Sequence, residues 1–363
     1  MENLKILGLD IGGANTKVAL LNYQDDEIVN SFSYVVYFPF WEKSIKDIPV
    51  MLERIIVKLI DQTELNSKDD IDFISITITA ELSDAFQTKR EGILKILSSL
   101  KDVFDEKKLF FINTESEFVD FESVRMIPLS IAAANWVSTS LFLGEFVPQC
   151  ILIDAGSTTI DVIPIQFSNP IPIGKDDISR LVNHELIYTG GLRATIPSIT
   201  HFIPYKEQLI RCSFEKFALV SDVHRILENI SEDVYTNDTA DNRSKSLEDC
   251  YSRLARIICM DIELISKKEL NKIAKFIYEK QLEIISKEIQ EFYNSLTIRK
   301  PEFKLDPLFV ITGLSSDFLI RKSLEKLGFV NIESYERITN IPDNVSSSAF
   351  AVAGAFYFQL KKK

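Results

Sequence analysis

Cysteine and histidine are scarce in this chain of 363 residues, which holds four cysteines (Cys150, Cys212, Cys250, Cys259) and three histidines (His184, His201, His224). No CxxC pair occurs and the histidines stand apart, so the spacing offers no zinc site and reads as a reduced, cytoplasmic protein. Glycine and proline number only 12 each against 46% hydrophobic residues, which excludes a disordered chain. Positive charge is also short: the net charge of −12 argues against non-specific nucleic-acid binding, although local basic clusters suffice for a phosphate ester. The start, MENLKILGLD, lacks a secretory leader and enters a strand at once. Long apolar runs are nearly absent. The one to weigh, residues 127–147, carries Ser130, Asn135, Ser138, Thr139 and Ser140, and reads as a buried helix over 127–144, not a membrane span.

What is present is a repeated pattern. Residues 6–21 run ILGLDIGGANTKVALL and residues 150–165 run CILIDAGSTTIDVIPI. Each is an apolar strand ending in Asp (Asp10, Asp154), then one apolar residue (Ile11, Ala155) and Gly, a polar turn and a second apolar strand. Gly and small hydroxyl residues let successive backbone N–H groups approach an anion, and a nearby Asp can hold hydrated Mg²⁺. One such loop is ordinary hairpin punctuation. Two copies about 140 residues apart suggest a duplicated fold closing on a polyphosphate. Gly12, Gly13, Asn15, Thr16 and Lys17 form the first phosphate loop, and Gly156, Ser157, Thr158 and Thr159 the second. The plainer reading makes Lys17 a solvated strand residue and Thr158–Thr159 a hairpin turn.

Between and beyond the loops, strand and helix signals alternate: an apolar run at 31–41, a helix at 48–62, a strand at 71–79, a helix at 91–104 and a strand at 108–113. Residues from about 205 to 300 differ, and Leu270, Ile273, Ile277, Ile284, Ile289, Phe292 and Leu296 mark a long amphipathic helix in a helical insertion. A strand at 308–312 ends at Gly313 before a Ser-rich turn, a geometry suited to close ligand approach. From Ser346 an Ala-rich helix runs into a basic tail. The length fits two α/β domains, 1–126 and 127–345, with the 346–363 helix packing back on the first.

A duplicated, hairpin-led α/β unit resembles the sugar kinase/Hsp70/actin superfamily. The segments TITAELSDAFQTKREG (77–92), AAANWVSTS (132–140), DAGSTTIDVIPI (154–165), ELIYTGGLRATIP (185–197), YTNDTADNRS (235–244) and RLARIICMDIE (253–263) narrow the likeness. They resemble the hydantoinase/oxoprolinase-like group, and within it the archaeal synthases of methanofuran biosynthesis. The resemblance implies an actin-like ATPase (ribonuclease H-like) fold with an interdomain cleft. It implies a transferase that joins an aminomethyl-furanmethanol diphosphate to the phenol oxygen of γ-glutamyltyramine and releases pyrophosphate. Asn242 stands where the family usually has Gly, and Gly191 where a bulkier residue is common.

In that reaction the furan stabilises a developing cation, so the barrier rests on neutralising pyrophosphate and placing the phenol oxygen. Asp10 and Asp154 would face Mg²⁺ or its waters, while ATP is not required. The phenol needs a base, and Glu81 or Asp84, just after a buried strand, would supply it; helix N-terminal charges are the bland alternative. Gly190, Gly191 and Arg193 would meet a phosphate or the glutamyl carboxylate; a surface salt bridge is the alternative for Arg193. Asp161 reads as a loop brace. Asp222, Asp233, Asp238 and Asp241 would take a second Mg²⁺ or an ammonium group, or else serve as caps and Asx turns, with Arg253 and Arg256 bracing them. His184 and His201 read as ordinary hydrogen-bonded residues. Expected partners are the small-molecule diphosphate and the phenolic amine, without nucleic acid or membrane, and a homo-oligomer is left open. The competing function is an ATP-dependent kinase or ring-amide hydrolase, with VITGLSS (310–316) as its adenosine-side loop.

Overall fold

A computed structural model describes residues 3–342 and 347–362. Ser346, where the sequence starts the last helix, lies outside the described residues, as do Met1, Glu2 and Lys363. In chain order the first elements are β1 (Leu4–Ile11), β2 (Asn15–Gln24), β3 (Glu27–Tyr37), α1 (Asp47–Gln62), β4 (Phe73–Ile78), α2 (Lys89–Val103), β5 (Leu109–Ile112), β6 (Phe118–Asp120), α3 (Phe121–Met126) and α4 (Asn135–Gly144). There follow β7 (Gln149–Ala155), β8 (Ile160–Gln166), β9 (Asn169–Pro170), α5 (Asp177–Val182), β10 (Leu186–Ile187), α6 (Ile196–Ile199), β11 (Phe202–Tyr205) and β12 (Gln208–Arg211). The remainder is α7 (Val220–Ile226), α8 (Leu247–Arg256), α9 (Lys267–Arg299), β13 (Phe309–Thr312), α10 (Lys322–Lys326), β14 (Ile332–Ser334), α11 (Tyr335–Thr339) and α12 (Ser347–Lys361).

Two compact units result. The described residues of Met1–Cys150, Ile163–Arg180 and Tyr335–Lys363 form unit 1, and Ile151–Val162 with Leu181–Ser334 form unit 2. In unit 1 the sheet order is β3-β2-β1-β4-β5-β6. The antiparallel β1–β2 hairpin leads, and β4 joins β1 in parallel. β-branched residues fill β4 (FISITI) because a central parallel strand is buried on both faces. α1 buries Ile48, Met51, Leu52, Ile55, Ile56 and Leu59, the i, i+3, i+4 stripe that its sequence dictates. α12 packs on β1, β2, β4 and α4. Its approach to β1 needs Gly8, where a Cβ would lie 2.0 Å from the Ala349 carbonyl oxygen.

The second sheet has the order β10-β8-β7-β13-β14, again a hairpin followed by parallel strands. The rest of unit 2 is mainly helical, and α7, α8 and α9 share a core of Val223, Leu254, Leu270, Ile273 and Ile277. A two-stranded β11–β12 ribbon precedes it, so the region from 205 is not helical at its start.

The expected helix over 127–144 is divided. Pro128–Ile131 form a 3₁₀ turn, Ala133 takes φ +50°, and α4 starts only at Asn135. The break lets Ala132 form a parallel bridge to Ile78 at the end of β4. Residues 127–150 belong to unit 1, whereas the sequence reading placed them with the second half; α4 lies against α12. Among the described residues, no helix is long and apolar enough to cross a membrane.

Candidate functional site

β1 and β2 meet in a turn where the Gly12 N–H donates to the Asn15 carbonyl at 3.0 Å. β7 and β8 close alike, with the Gly156 N–H on the Thr159 carbonyl at 3.0 Å. The repeat in the sequence is therefore a repeat of backbone geometry. Asp10 lies opposite Lys17 on one side and Thr77 on the other, and is 3% exposed. Its Oδ2 is 3.2 Å from Lys17 Nζ and accepts from Ser348 Oγ at 2.5 Å, while Lys17 Nζ donates to Ser348 Oγ at 2.9 Å. Among the described residues Asp10 Oδ1 and the Thr16 and Thr77 hydroxyls have no hydrogen-bond partner. Bare buried oxygens are costly. Asp10 Oδ1 and the Thr77 hydroxyl share one face of the sheet and suit a hard cation such as Mg²⁺, which completes its shell with water and phosphate oxygens. Thr16, paired with Ile11, lies on the other face.

The segment after β4 runs beside this loop, because the N–H groups of Thr79 and Ala80 both donate to the Ile11 carbonyl, at 2.9 and 3.0 Å. Glu81 follows and is 2% exposed, with Oε2 bare among the described residues. Burial pushes its carboxyl up to about 7, against the opposing pull of backbone N–H groups, Ala133 among them, and of Lys89. The left-handed Ala133 thus belongs to the Glu81 environment. Residues 81–84 form turns and the helix starts only at Lys89, so Glu81 and Asp84 do not share a helix face. Asp84 is exposed, and the two carboxylates are not paired in role.

Loop 2 is held from two sides. Gly190 N–H donates to the Thr158 carbonyl at 2.9 Å and Gly191 N–H to the Gly156 carbonyl at 3.0 Å. The N–H groups of Leu192 and Arg193 both reach the Ser157 carbonyl, at 3.0 and 3.1 Å. Gly190 must be glycine, since a Cβ would stand 2.6 Å from Gly156 O, Ser157 C and Thr158 N. On the other side Ser315 donates its N–H to the Ala155 carbonyl, and its hydroxyl reaches the Ala155 and Gly156 carbonyls. Gly313, at φ +89°, leaves room for Ala155 and for Asp154, whose Oδ1 would lie 2.6 Å from a Cβ there. Gly190 and Gly191 therefore act as backbone braces of the loop, and the Arg193 side chain is exposed.

Behind the brace, Gln281 of α9 donates to Thr189 Oγ1 at 3.1 Å and to the Gly190 carbonyl at 3.0 Å. Its Oε1 lies 3.0 Å from His224 Nε2, and Asn229 completes the line at 3.1 Å from His224 Nδ1. Burial pushes His224 down to about 3, so the ring is neutral, outweighing the Gln281 hydrogen bond.

Two members of the acidic run, Asp222 and Asp241, are held in structural ion pairs. Asp222, fully buried, pairs with Arg253 at 2.8 Å, accepts from Tyr235 Oη at 2.9 Å and caps the Leu219 N–H at 3.0 Å. Asp241 pairs with Arg253 and Arg256, each at 3.0 Å. Burial opposes its charge, but the Arg243 N–H and the Arg256 and Arg253 guanidinium groups outweigh it and hold Asp241 below the usual range. Asn242 sits at φ +58°, a left-handed conformation that glycine adopts readily and that Asn tolerates. Among the described residues, no cluster of three His, Cys, Asp or Glu can hold a metal. His184 meets Glu288 at 2.7 Å, and His201 lies against Phe214.

Ser348 escaped the sequence reading. Its only signal, a Ser run before an Ala-rich helix, marks a helix start and carries no hint of contact with Asp10.

Residues 72–359 match the hydantoinase/oxoprolinase family. The chain is 34% identical over 361 residues to the (4-{4-[2-(γ-L-glutamylamino)ethyl]phenoxymethyl}furan-2-yl)methanamine synthase of Methanocaldococcus jannaschii, covering 99% of both chains. It is 30% identical over 216 residues to the protein of that name from Methanococcus vannielii, covering 58% of this chain and 93% of that one. Among solved structures, nucleotide-free acetone carboxylase superposes with a TM-score of 0.54 at 11% identity, covering 97% of this chain and 70% of that one. The fold is the actin-like one that the hairpin repeat implies.

Proposed function

The chain belongs to the hydantoinase/oxoprolinase family, and we propose that it is a synthase of methanofuran biosynthesis that forms an aryl–O–CH₂ ether. The donor is an aminomethyl-furanmethanol diphosphate and the acceptor is the phenol of γ-glutamyltyramine. The bond between the furanylmethyl carbon and its bridging oxygen breaks, the electron pair leaves with pyrophosphate, and the phenol oxygen takes the carbon. The observation that carries this reading is the unit 1 strand end, where bare Asp10 Oδ1 and the buried, proton-poised Glu81 flank one phosphate-type turn.

Each group has a task. Gly12 and Gly13 give the diphosphate close access to backbone N–H groups, and Lys17 supplies positive charge as negative charge builds on the leaving oxygen. Asp10, with the Thr77 hydroxyl on the same face, would hold Mg²⁺, whose charge offsets that of pyrophosphate. Glu81, at about 7, accepts the phenol proton near neutrality. In unit 2, loop 2 offers an anion the same kind of backbone approach.

The test incubates the purified chain with Mg²⁺, the furanylmethyl diphosphate and γ-glutamyltyramine without ATP, following pyrophosphate and ether by mass spectrometry. Equal yields of the two support the reading. No ether, with ATP hydrolysed when an alcohol or ring amide is supplied, replaces it with the ATP-dependent alternative.

A further inference from the structure

Beside loop 1, unit 1 carries a cavity of about 270 Å³ that the site described above does not use. Phe38, Phe40, Trp41 and Phe86 line it with Ala85, and Lys43 adds the cationic group of its wall. The aromatic wall is tied to the loop: Phe40 N–H donates to the Gly13 carbonyl and Phe38 N–H to the Ala14 carbonyl, both at 2.9 Å. From the other side the 83–86 turn brings Ala85 and Phe86, and a Cβ on Gly13 would touch Ser83 at 4.0 Å. Phe38 meets Phe40 edge-on at 5.1 Å, and Phe40 meets Phe86 at 5.9 Å. Aromatic side chains that contact one another and still leave space beside them suit a flat ring.

We propose that this cavity is the subsite for the phenol ring of the acceptor, with the acceptor's carboxylate at Lys43. The proposal rests on the transferase reading above and adds where the acceptor binds. Size fits, since a cavity of roughly 150 Å³ holds benzene and this one leaves room for an ethyl arm. Charge chooses between the two substrate rings. Among the described residues no carboxylate lines the cavity to meet the ammonium group beside the donor's furan ring. The glutamyl end of the acceptor carries, next to its own ammonium group, a carboxylate that Lys43 can pair with. The attachment to loop 1 keeps the ring-binding wall in register with the turn that would hold the diphosphate.

Trp41 reports on the cavity directly, because it is 38% exposed while the other tryptophan, Trp136, is 2% exposed. Titrating the full chain with γ-glutamyltyramine should give a saturable change in tryptophan emission that Trp41→Phe abolishes. Ala85→Leu fills the cavity and should weaken that binding at least tenfold. Lys43→Glu should weaken γ-glutamyltyramine at least tenfold more than tyramine, which lacks the carboxylate. An unchanged γ-glutamyltyramine affinity in folded Ala85→Leu, or a response to the furan alcohol in place of the phenols, overturns the subsite. The surface variant Lys43→Glu keeps the test alive if Ala85→Leu does not fold, because equal losses for both phenols reject the assignment. Acceptor binding without ether formation defeats the transferase reading and leaves the subsite standing. Ether formation with an unaltered acceptor KM in Ala85→Leu does the reverse.

Discussion

Glu81 is a carboxylate denied water and given too few hydrogen bonds to stay comfortably charged. Its folded value of about 7 exceeds the ordinary 4.5, so between these values the folded chain binds the proton more tightly than the unfolded chain. The contribution of this group to stability is therefore greatest below pH 4.5 and falls as pH rises through 7, by on the order of 3 kcal/mol. Glu81→Gln should remove that slope: its melting temperature should exceed that of the native chain at pH 8 and approach it at pH 5. Ether formation should drop by roughly 10²- to 10⁴-fold, as for loss of a general base. Paired thermal melts and rate assays at the two pH values check both. At this scale the sequence was informative where chemistry is local. Asp10, Lys17 and Glu81 follow from a strand end and its turn, but Ser348 lies 338 residues from Asp10 and only packing brings it there.

Loop 2 owes its shape to neighbouring elements more than to its own hydroxyls. The Thr189–Gly191 strip lies on its carbonyls, and the neutral His224–Gln281 line holds that strip from α9. Gly190→Ala would press a methyl group into backbone, which cannot swing aside as a side chain can. The expected result is at least a tenfold loss of ether formation, with a stability cost of about 1–3 kcal/mol for overpacking, read by denaturant titration beside the assay. A larger melting shift with full activity would reject a positioning role for the strip. α9 was legible because its apolar residues repeat at helical spacing, and all but half-buried Ile284 of the seven marked positions are buried. Gln281 was not, since a polar residue at a buried position looks like any other until its partners are known. The divided helix at 127–144 failed for a related reason. Its composition is helical throughout, but the Ala132 bridge to Ile78 and the left-handed Ala133 are tertiary demands.

Unit 1 is assembled from three stretches of chain, and α12 completes it. Phe350, Val352, Phe356 and Tyr357 are all at most 3% exposed, and Tyr357 stacks on Tyr23 with ring centroids 3.6 Å apart. Burying each of the larger apolar side chains contributes about 1.5–3 kcal/mol, several-fold more in sum than one site contact. A chain ended after Ser334 should bind a hydrophobic dye and lose the cooperative melt of unit 1; a sharp native-like transition would show that α12 is dispensable. The duplicated plan was readable from two short motifs, whereas the division into units was not, because it depends on which distant helix covers which sheet.

The Gly8–Ala349 approach also has a temporal side. The strand that needs covering leaves the ribosome first, and its cover emerges 341 residues later (349 − 8). At about 5–20 residues per second, translation leaves that face of β1 bare for roughly 17–70 seconds. During that interval the nascent chain offers an apolar strand to any passing partner. Expression yield should therefore depend on how quickly ribosomes finish the message and on the supply of holding chaperones, even where the finished protein is stable.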